Sequence, residues 1–320
     1  MNHIPKSMTM KKIILFSLIC LSMSSLTQAQ TTADLIAPYP WETRYVTVMD
    51  SIEVAYVDQG EGGSTLLMIH GLGSYLRGWE RTINYFTDYR CVALDLPGFG
   101  KSSKGAYPYS MEFYREVVKA MADSLDLKEI ILMGHSMGGQ VAMHMALEYP
   151  AFAKGMVLSA PAGLETFTEA EATALRNYLT PESYAALPEP AVRQRYALNF
   201  HEMPTEAEPW VTDRLAMREG TDFMGFATAY DRSIDAMLDG PVASRLEEIY
   251  IPTLVVYGEQ DALIPNAYLH PNLSRELLCV EAIDRMHSAG TALIDQAGHF
   301  VHFEQPEAFN QAVRTFLERR

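Results

Sequence analysis

The sequence predicts an α/β fold, with a mostly parallel sheet, helices on both of its faces and an inserted helical cap. Short continuous apolar runs such as Leu66-Leu67-Met68-Ile69 suit strands that are buried on both faces. These runs alternate with stretches of helical periodicity, which is typical of a parallel sheet covered by helices. From about Gly163 to Leu246 the strand signal disappears, and that gap predicts the cap.

The first 29 residues have the pattern of a secretory signal peptide. Three lysines precede the apolar run 13–23, and small and polar residues then lead to Ala29. Because the run is short for a membrane span, we expect cleavage, export to the periplasm or secretion, and no stable membrane span in the mature protein. Cys20 suggests a lipid anchor as a minor alternative, which the bulky Ile19 before it disfavours.

The charge of the chain indicates which binding partners are unfavourable. Without its first 29 residues the chain has 22 basic against 40 acidic residues, a net charge of −18. Such a surface repels polyanions, and no basic stripe with interleaved aromatic residues occurs, so the sequence argues against nucleic acid as a partner.

Cys91 and Cys279 lie in apolar runs and are expected to be reduced core residues.

The core elements follow in chain order on either side of the cap. Two alternating segments around Asp50-Ser51 predict an antiparallel hairpin, and the later apolar runs predict buried strands. Ser110 is placed to cap a helix whose apolar residues recur at helical spacing up to Leu125. The predicted strands are 45–48, 52–57, 66–69, 91–96, 130–133, 156–159, 253–257 and 291–295, and an amphipathic helix over 309–317 closes the chain.

These elements divide the chain into a signal peptide (1–29), a first core part (30–162), the cap (163–246) and a second core part (247–320). The cap is rich in alanine, glutamate, tyrosine and methionine and is broken by prolines, a composition compatible with short helices. Because an insertion directly after a strand at the catalytic face usually covers the pocket, we expect it to act as a lid.

The candidate nucleophile is Ser136, in the segment Gly134-His135-Ser136-Met137-Gly138. This segment follows a predicted strand and opens a predicted helix. The glycines let the backbone pass close to its neighbours while the serine takes a strained conformation at a sharp turn. Such a turn directs the serine hydroxyl outward beside the N-terminus of a helix.

The candidate base is His299. A serine hydroxyl is a weak nucleophile until an adjacent base takes its proton, and that base needs a carboxylate to fix its tautomer. His299 follows the strand 291–295, which places it on a loop at the carboxyl end of a strand. His302, at the start of the last helix, is the alternative.

The candidate acid is Asp261, on the loop that follows the strand 253–257. Glu259 lies closer to the end of that strand, and Glu165, after an earlier strand, is a more remote alternative. The order of nucleophile, acid and base along the chain is one of the orders in which such triads occur.

Acyl transfer also requires N–H donors for the oxyanion that forms on the substrate. The candidate donors are the backbone N–H groups of Met137, directly after the serine, and of Leu72, in the glycine turn His70-Gly71-Leu72-Gly73. His70 is expected to brace this turn by hydrogen bonding rather than to act as an acid.

Five motifs, in this order along the chain, resemble those of the α/β-hydrolase family, in its capped esterase and lipase-like branch. They are His70-Gly71-Leu72-Gly73, Asp95-Leu96-Pro97-Gly98-Phe99-Gly100-Lys101-Ser102, Gly134-His135-Ser136-Met137-Gly138-Gly139, Gly258-Glu259-Gln260-Asp261 and Gly298-His299-Phe300. The resemblance runs from about residue 45 to residue 320. It implies an eight-stranded sheet, with Ser136 as nucleophile, His299 as base and Asp261 as acid. It leaves the substrate open, because this fold hosts many chemistries.

The predicted function is an exported serine hydrolase that cleaves a small, apolar carboxylic ester through an acyl-enzyme. Hydrolysis of lactones, amides or carbon–carbon bonds, haloperoxidase-like chemistry, and ligand binding by a receptor-like protein on the same frame stay open. Proteins similar to haloalkane dehalogenases and epoxide hydrolases carry aspartate where this chain has Ser136, which disfavours those activities. No zinc-binding or dinucleotide-binding motif occurs, so no metal or cofactor is expected. The oligomeric state stays open.

Overall fold

A single eight-stranded sheet carries the fold in the computed structural model, which describes residues 29–319. Its strands are β1 Arg44–Val48, β2 Ile52–Gln59, β3 Thr65–Ile69, β4 Arg90–Leu94, β5 Ile130–His135, β6 Gly155–Ser159, β7 Thr253–Gly258 and β8 Ala289–Ile294. All of the predicted signal peptide except Ala29 lies outside the described residues.

The strands lie in the order β1-β2-β4-β3-β5-β6-β7-β8. β2 pairs antiparallel with β1 and with β4, and every other pairing is parallel. The predicted hairpin and the predicted mostly parallel sheet are therefore confirmed. The central strands β3, β5, β6 and β7 are buried along their whole length, which is why they are continuous apolar runs rather than alternating ones.

Two strands end earlier than the sequence predicts. β4 ends at Leu94, because the N–H group of Leu96 donates to the ring of His70 at 2.9 Å instead of continuing the ladder. β8 ends at Ile294, and the carboxylate of Asp295 accepts the N–H of Gln296 at 2.8 Å, which begins a turn. Both boundaries depend on side-chain hydrogen bonds that compete with strand pairing.

Helices cover both faces of the sheet. Ser110 caps the N-terminus of one of them by accepting the N–H of Phe113 at 3.1 Å, as predicted. The helices are α1 Thr32–Leu35, α2 Glu80–Tyr85, α3 Met111–Ser124, α4 Met137–Glu148, α5 Glu169–Arg176, α6 Pro181–Ala185, α7 Glu189–Ala197, α8 Glu208–Met217, α9 Phe223–Asp239, α10 Arg275–Arg285, α11 Val301–Glu304 and α12 Pro306–Glu318.

Helices α5 to α9 form one inserted segment between β6 and β7. All of residues 160–252 are described, and none of them lies in a strand. Buried polar contacts join this segment to the core: the hydroxyl of Tyr75 donates to the carboxylate of Asp213 at 2.7 Å, and the guanidinium of Arg214 donates to the carbonyl of Gly73. The insert therefore rests on the loop that follows β3.

The segment before β1 lies between the insert and the core. The N–H groups of Thr32 and Ala37 donate to Asp222 and Asp213 of the insert at 2.6 and 3.0 Å. On the core side, the ammonium group of Lys101 donates to the carbonyl of Ile36 at 2.8 Å. Nothing in the sequence pattern indicates this arrangement.

Cys91 and Cys279 are both buried and free, so the prediction of reduced core cysteines is confirmed. Across residues 29–319, no helix combines the length and the apolar character that a membrane crossing requires.

Candidate active site

Ser136 lies at a sharp turn between β5 and α4. Its φ of 52° and ψ of −119° are an unfavourable conformation for a residue with a side chain. The turn is tight enough that a Cβ atom on Gly138 would lie 2.3 Å from the carbonyl oxygen of Ile69, and one on Gly134 would lie 2.4 Å from that of Gly138. Only glycine fits at these two positions, which explains their pattern around the serine.

His299 and Asp261 form a buried pair. The Nδ1 atom of His299 lies 2.8 Å from Oδ2 of Asp261, and both residues are at least 95% buried. The other carboxylate oxygen accepts the N–H groups of Leu263 and Ile264 at 2.8 and 3.1 Å. Because a carboxylate only accepts, the ring proton of His299 lies on Nδ1, which leaves Nε2 unprotonated in the neutral ring.

The alternative acids do not contact His299. Glu259 is exposed. Glu165 accepts the ring N–H of His270 at 2.5 Å and the backbone N–H of Asn266 at 2.8 Å. Of the three carboxylates considered from the sequence, the structure brings only Asp261 to the histidine.

The alternative base, His302, lies in the core. Its Nδ1 atom is 2.9 Å from the hydroxyl of Ser159, and its ring stacks on Trp79 with centroids 4.2 Å apart. Burial lowers the pKa of His302 to about 3, so the ring is neutral at physiological pH.

His135 holds the backbone of His299, a contact that the sequence reasoning did not include. The Nε2–H group of His135 donates to the carbonyl of His299 at 3.1 Å, and the two rings lie 4.8 Å apart. Burial holds the pKa of His135 well below its ordinary value, so a neutral ring lies beside His299. A histidine directly before the serine was the only sequence signal for this contact.

The turn 70–73 lies against the serine. A Cβ atom on Gly71 would lie 2.9 Å from the Cβ atom of Ser136. Within residues 29–319, neither the N–H of Leu72 nor that of Met137 has a protein acceptor. Met137 opens α4, and the first N–H groups of a helix have no partner within the helix. Both groups are thus available to an oxygen atom bound at the serine.

His70 braces this turn, as predicted. Its Nε2 atom accepts the N–H of Leu96 at 2.9 Å, so Nδ1 carries the proton and donates to the carbonyl of Gly71 at 2.8 Å. Burial lowers the pKa of His70 to about 4, which keeps this arrangement intact at neutral pH. The ring joins the loop after β3 to the loop after β4.

A cavity of about 480 Å³ opens beside Ser136 and His299. Leu72 belongs to its wall, and the insert supplies most of its Phe, Trp and Tyr residues, including Tyr184 and Trp210. Such a volume suits a small organic molecule. Among the residues that the structure describes, no group of three or more histidine, cysteine, aspartate or glutamate side chains is arranged to hold a metal ion.

Comparison with known proteins identifies the family. A family model described as the alpha/beta hydrolase fold matches residues 64–306. The chain belongs to the α/β-hydrolase family. The α/β-hydrolase fold predicted from the five motifs is therefore confirmed.

Several known proteins resemble the chain over most of its length. It is 30% identical over 276 residues to the dihydrolipoyllysine-residue acetyltransferase component of the acetoin cleaving system of Pseudomonas putida, covering 81% of this chain and 65% of that protein. It is 29% identical to a 2-hydroxy-6-oxo-6-phenylhexa-2,4-dienoate hydrolase of Comamonas testosteroni, covering 83% and 92%. The crystal structure of a probable hydrolytic enzyme from Pseudomonas aeruginosa PAO1 superposes with a TM-score of 0.79 at 27% identity, covering 90% and 98%.

Proposed function

We propose that this α/β-hydrolase is a serine hydrolase that cleaves carboxylic esters. The observation that carries the proposal is the buried pair of His299 and Asp261, whose histidine lines the same cavity as Ser136 at its strained turn. The pair leaves Nε2 of His299 free to accept a proton, as a general base requires.

The reaction then proceeds in two stages, acylation of Ser136 and deacylation by water. His299 takes the proton of the Ser136 hydroxyl while its oxygen attacks the ester carbonyl, and the N–H groups of Leu72 and Met137 stabilise the oxyanion. The tetrahedral intermediate expels the alcohol, which receives the proton from His299. Water, deprotonated by the same histidine, then attacks the acyl-enzyme, and the carboxylic acid is released as the Ser136 oxygen regains its proton from His299.

Fluorophosphonate labelling tests this proposal. The probe should modify Ser136 alone, Ser136→Ala should abolish labelling, and turnover of a neutral ester should fall by about a millionfold. Ser124→Ala, which removes an exposed hydroxyl at the end of α3, serves as the matched control and should label normally. A folded wild-type protein that neither labels nor turns over any ester would contradict the proposal and favour a ligand-binding protein.

A second candidate reaction is the hydrolysis of a lactone or of a carbon–carbon bond. The relatives include the dienoate hydrolase of Comamonas testosteroni and a 3-oxoadipate enol-lactonase of Acinetobacter baylyi. A panel of matched aryl esters, lactones and vinylogous 1,5-diketones, assayed with the same preparation, separates these reactions. A kcat/KM for lactones or diketones above that for every ester would replace ester hydrolysis as the activity.

We also propose that the protein is exported after cleavage near Ala29. The support is the pattern of lysines, apolar run and small residues in the first 29 positions. Cell fractionation followed by mass determination of the mature N-terminus tests the proposal, with a Cys20→Ser variant to separate free from lipid-anchored protein. Full-length chain in the cytosol would contradict export.

A further inference from the structure

Within residues 29–319, three side chains besides histidines in the wall of the cavity at Ser136 are charged near neutral pH. They are Arg195, Arg214 and Glu165. Together these three side chains carry one net positive charge, although the whole chain has a net charge of −15. The wall of the cavity at the proposed nucleophile is therefore positively charged, although the protein as a whole is acidic.

Arg214 is already bound within the protein. It is buried, and its guanidinium donates to the hydroxyl of Tyr184 and to the carbonyl of Gly73. Its central carbon also lies 4.1 Å from the ring centroid of Phe226. These contacts hold Arg214 between the insert and the turn 70–73. Within residues 29–319 its buried Nε–H group has no acceptor.

Arg195 is more exposed than Arg214, and its guanidinium makes fewer hydrogen bonds within the protein. It is half-buried in α7, and its guanidinium makes one hydrogen bond in the described structure, from Nη2 to the hydroxyl of Tyr230 at 3.2 Å. No carboxylate in residues 29–319 lies within 4 Å of its guanidinium, whereas Arg193, two residues earlier, pairs with Glu189 and Glu208. Most of the guanidinium N–H donors of Arg195 therefore have no protein acceptor.

Glu165 does not compete for Arg195. Its carboxylate accepts the ring N–H of His270 at 2.5 Å and the backbone N–H of Asn266 at 2.8 Å. The positive charge of Arg195 is thus not neutralised by the carboxylate of Glu165 on the cavity wall.

Tyr230 connects Arg195 to the reaction site. Its hydroxyl accepts a hydrogen bond from Arg195, so its own proton is free to be donated. Its ring lies against the turn 70–73, because a Cβ atom on Gly73 would lie 2.7 Å from Cε2 of Tyr230. A ligand held by Arg195 and Tyr230 therefore occupies the same cavity as the N–H donor of Leu72.

We propose that the substrate carries an ionised carboxylate in addition to its ester, and that Arg195 and Tyr230 bind this carboxylate. The N–H groups of a guanidinium and the O–H group of a phenol can donate hydrogen bonds to the two oxygens of a carboxylate. A monoanion matches the single net positive charge of the wall, which a phosphate dianion would exceed. The inference rests on the proposed ester hydrolysis and specifies its substrate class as half-esters and esters of carboxylated alcohols.

Matched esters test the inference. Mono-p-nitrophenyl glutarate is compared with p-nitrophenyl valerate, and 4-carboxyphenyl butyrate with phenyl butyrate, so the carboxylate is tried on either side of the ester. Arg195→Gln should lower the ratio of kcat/KM for the anionic over the neutral member of one pair by about 10- to 100-fold. Arg195→Lys, which keeps the charge, should recover part of that ratio, and Arg193→Gln should leave it unchanged.

The inference is overturned if Arg195→Gln leaves the ratio of kcat/KM for anionic over neutral esters unchanged while neutral esters are still cleaved. In that case the proposal of ester hydrolysis stands. A phosphate-bearing ester preferred over both carboxylate esters also overturns it. Calorimetric titration of Ser136→Ala with each ester measures binding without turnover. If no ester is cleaved, the ester proposal fails. The carboxylate site is then tested by binding alone. It is overturned if Ser136→Ala and the double variant with Arg195→Gln bind anionic over neutral esters with the same preference.

Discussion

At the scale of single residues, Asp261 determines which nitrogen of His299 carries the proton. Asp261→Asn keeps the shape of the side chain but allows the opposite tautomer, so we expect kcat for a neutral ester to fall by about 10³- to 10⁴-fold. Steady-state kinetics and the rate of fluorophosphonate labelling measure the loss. Glu259→Gln, an exposed carboxylate two residues earlier, is the matched control, and equal losses in both variants would contradict the role of Asp261.

The contact between His270 and Glu165 makes stability depend on pH. The hydrogen bond to Glu165, and the charge of Glu171 at 3.6 Å, raise the pKa of His270 above its ordinary value of 6.5. Folding therefore favours the protonated ring, and this stabilisation is complete below about pH 6.5 and is lost as pH rises through the raised pKa. Its size is under about 1 kcal/mol, because the ring is partly solvated.

We expect wild-type protein to lose more thermal stability than His270→Gln between pH 6 and pH 9. Melting temperatures at several pH values, in a buffer of constant ionic strength, measure the difference. His287→Gln, which removes a histidine stacked on Tyr250, is the matched control and should follow the wild type. Parallel pH curves for wild type and His270→Gln would show that the contact contributes nothing.

At the scale of elements, the turn between β5 and α4 depends on backbone atoms that almost touch. A Cβ atom on Gly138 would lie 2.3 and 2.5 Å from the carbonyl oxygens of Ile69 and His70. Gly138→Ala must push the turn and the loop after β3 apart, so we expect the free energy of unfolding to fall by about 1 to 3 kcal/mol and labelling of Ser136 to slow.

Chemical denaturation and labelling kinetics check this expectation together. Gly290→Ala in β8 is the matched control, because a Cβ atom there would meet no other atom within 4 Å. If the two alanine variants lost the same stability, general loss of backbone freedom rather than the close approach at Gly138 would be the cause.

At the scale of the whole molecule, the segment before β1 braces the insert against the core. Deleting residues 30–37 removes the hydrogen bonds of this segment to Asp213, Asp222 and Lys101 and exposes the site of Ile36. We expect the free energy of unfolding to fall by about 2 to 4 kcal/mol and the insert to become more sensitive to protease. Unfolding curves and limited proteolysis measure both effects.

A point variant separates the brace from a general effect of truncation. Asp222→Ala should lower the free energy of unfolding by about 1 kcal/mol, because it removes the acceptor of the Thr32 N–H. Glu42→Gln, at an exposed residue just before β1, should leave it unchanged. A deletion variant as stable as the wild type would show that the segment is only a connection.

The sheet and the turn at Ser136 could be predicted because their signals are local. A strand buried on both faces is a run of neighbouring apolar residues, and a sharp turn is a run of neighbouring glycines, so both are visible in a few positions. The partner of His299 was one choice among three carboxylates. A position on a loop after a strand predicts only that the residue lies at the same edge of the sheet as His299, and not that the two side chains meet. Only the tertiary structure distinguishes Asp261 from Glu259 and Glu165 as the partner of His299.

The sequence by itself determined the fold class, the position of the nucleophile turn and the set of candidate bases and acids. Only the tertiary structure decided which charges meet. Arg195 and Tyr230 are 35 positions apart, Glu165 and His270 are 105 apart, and Thr32 and Asp222 are 190 apart. No periodicity relates such residues, because their contacts arise when the insert and the first segment pack on the sheet. An arginine in α7 is indistinguishable in sequence from a surface arginine until packing shows that no carboxylate reaches it.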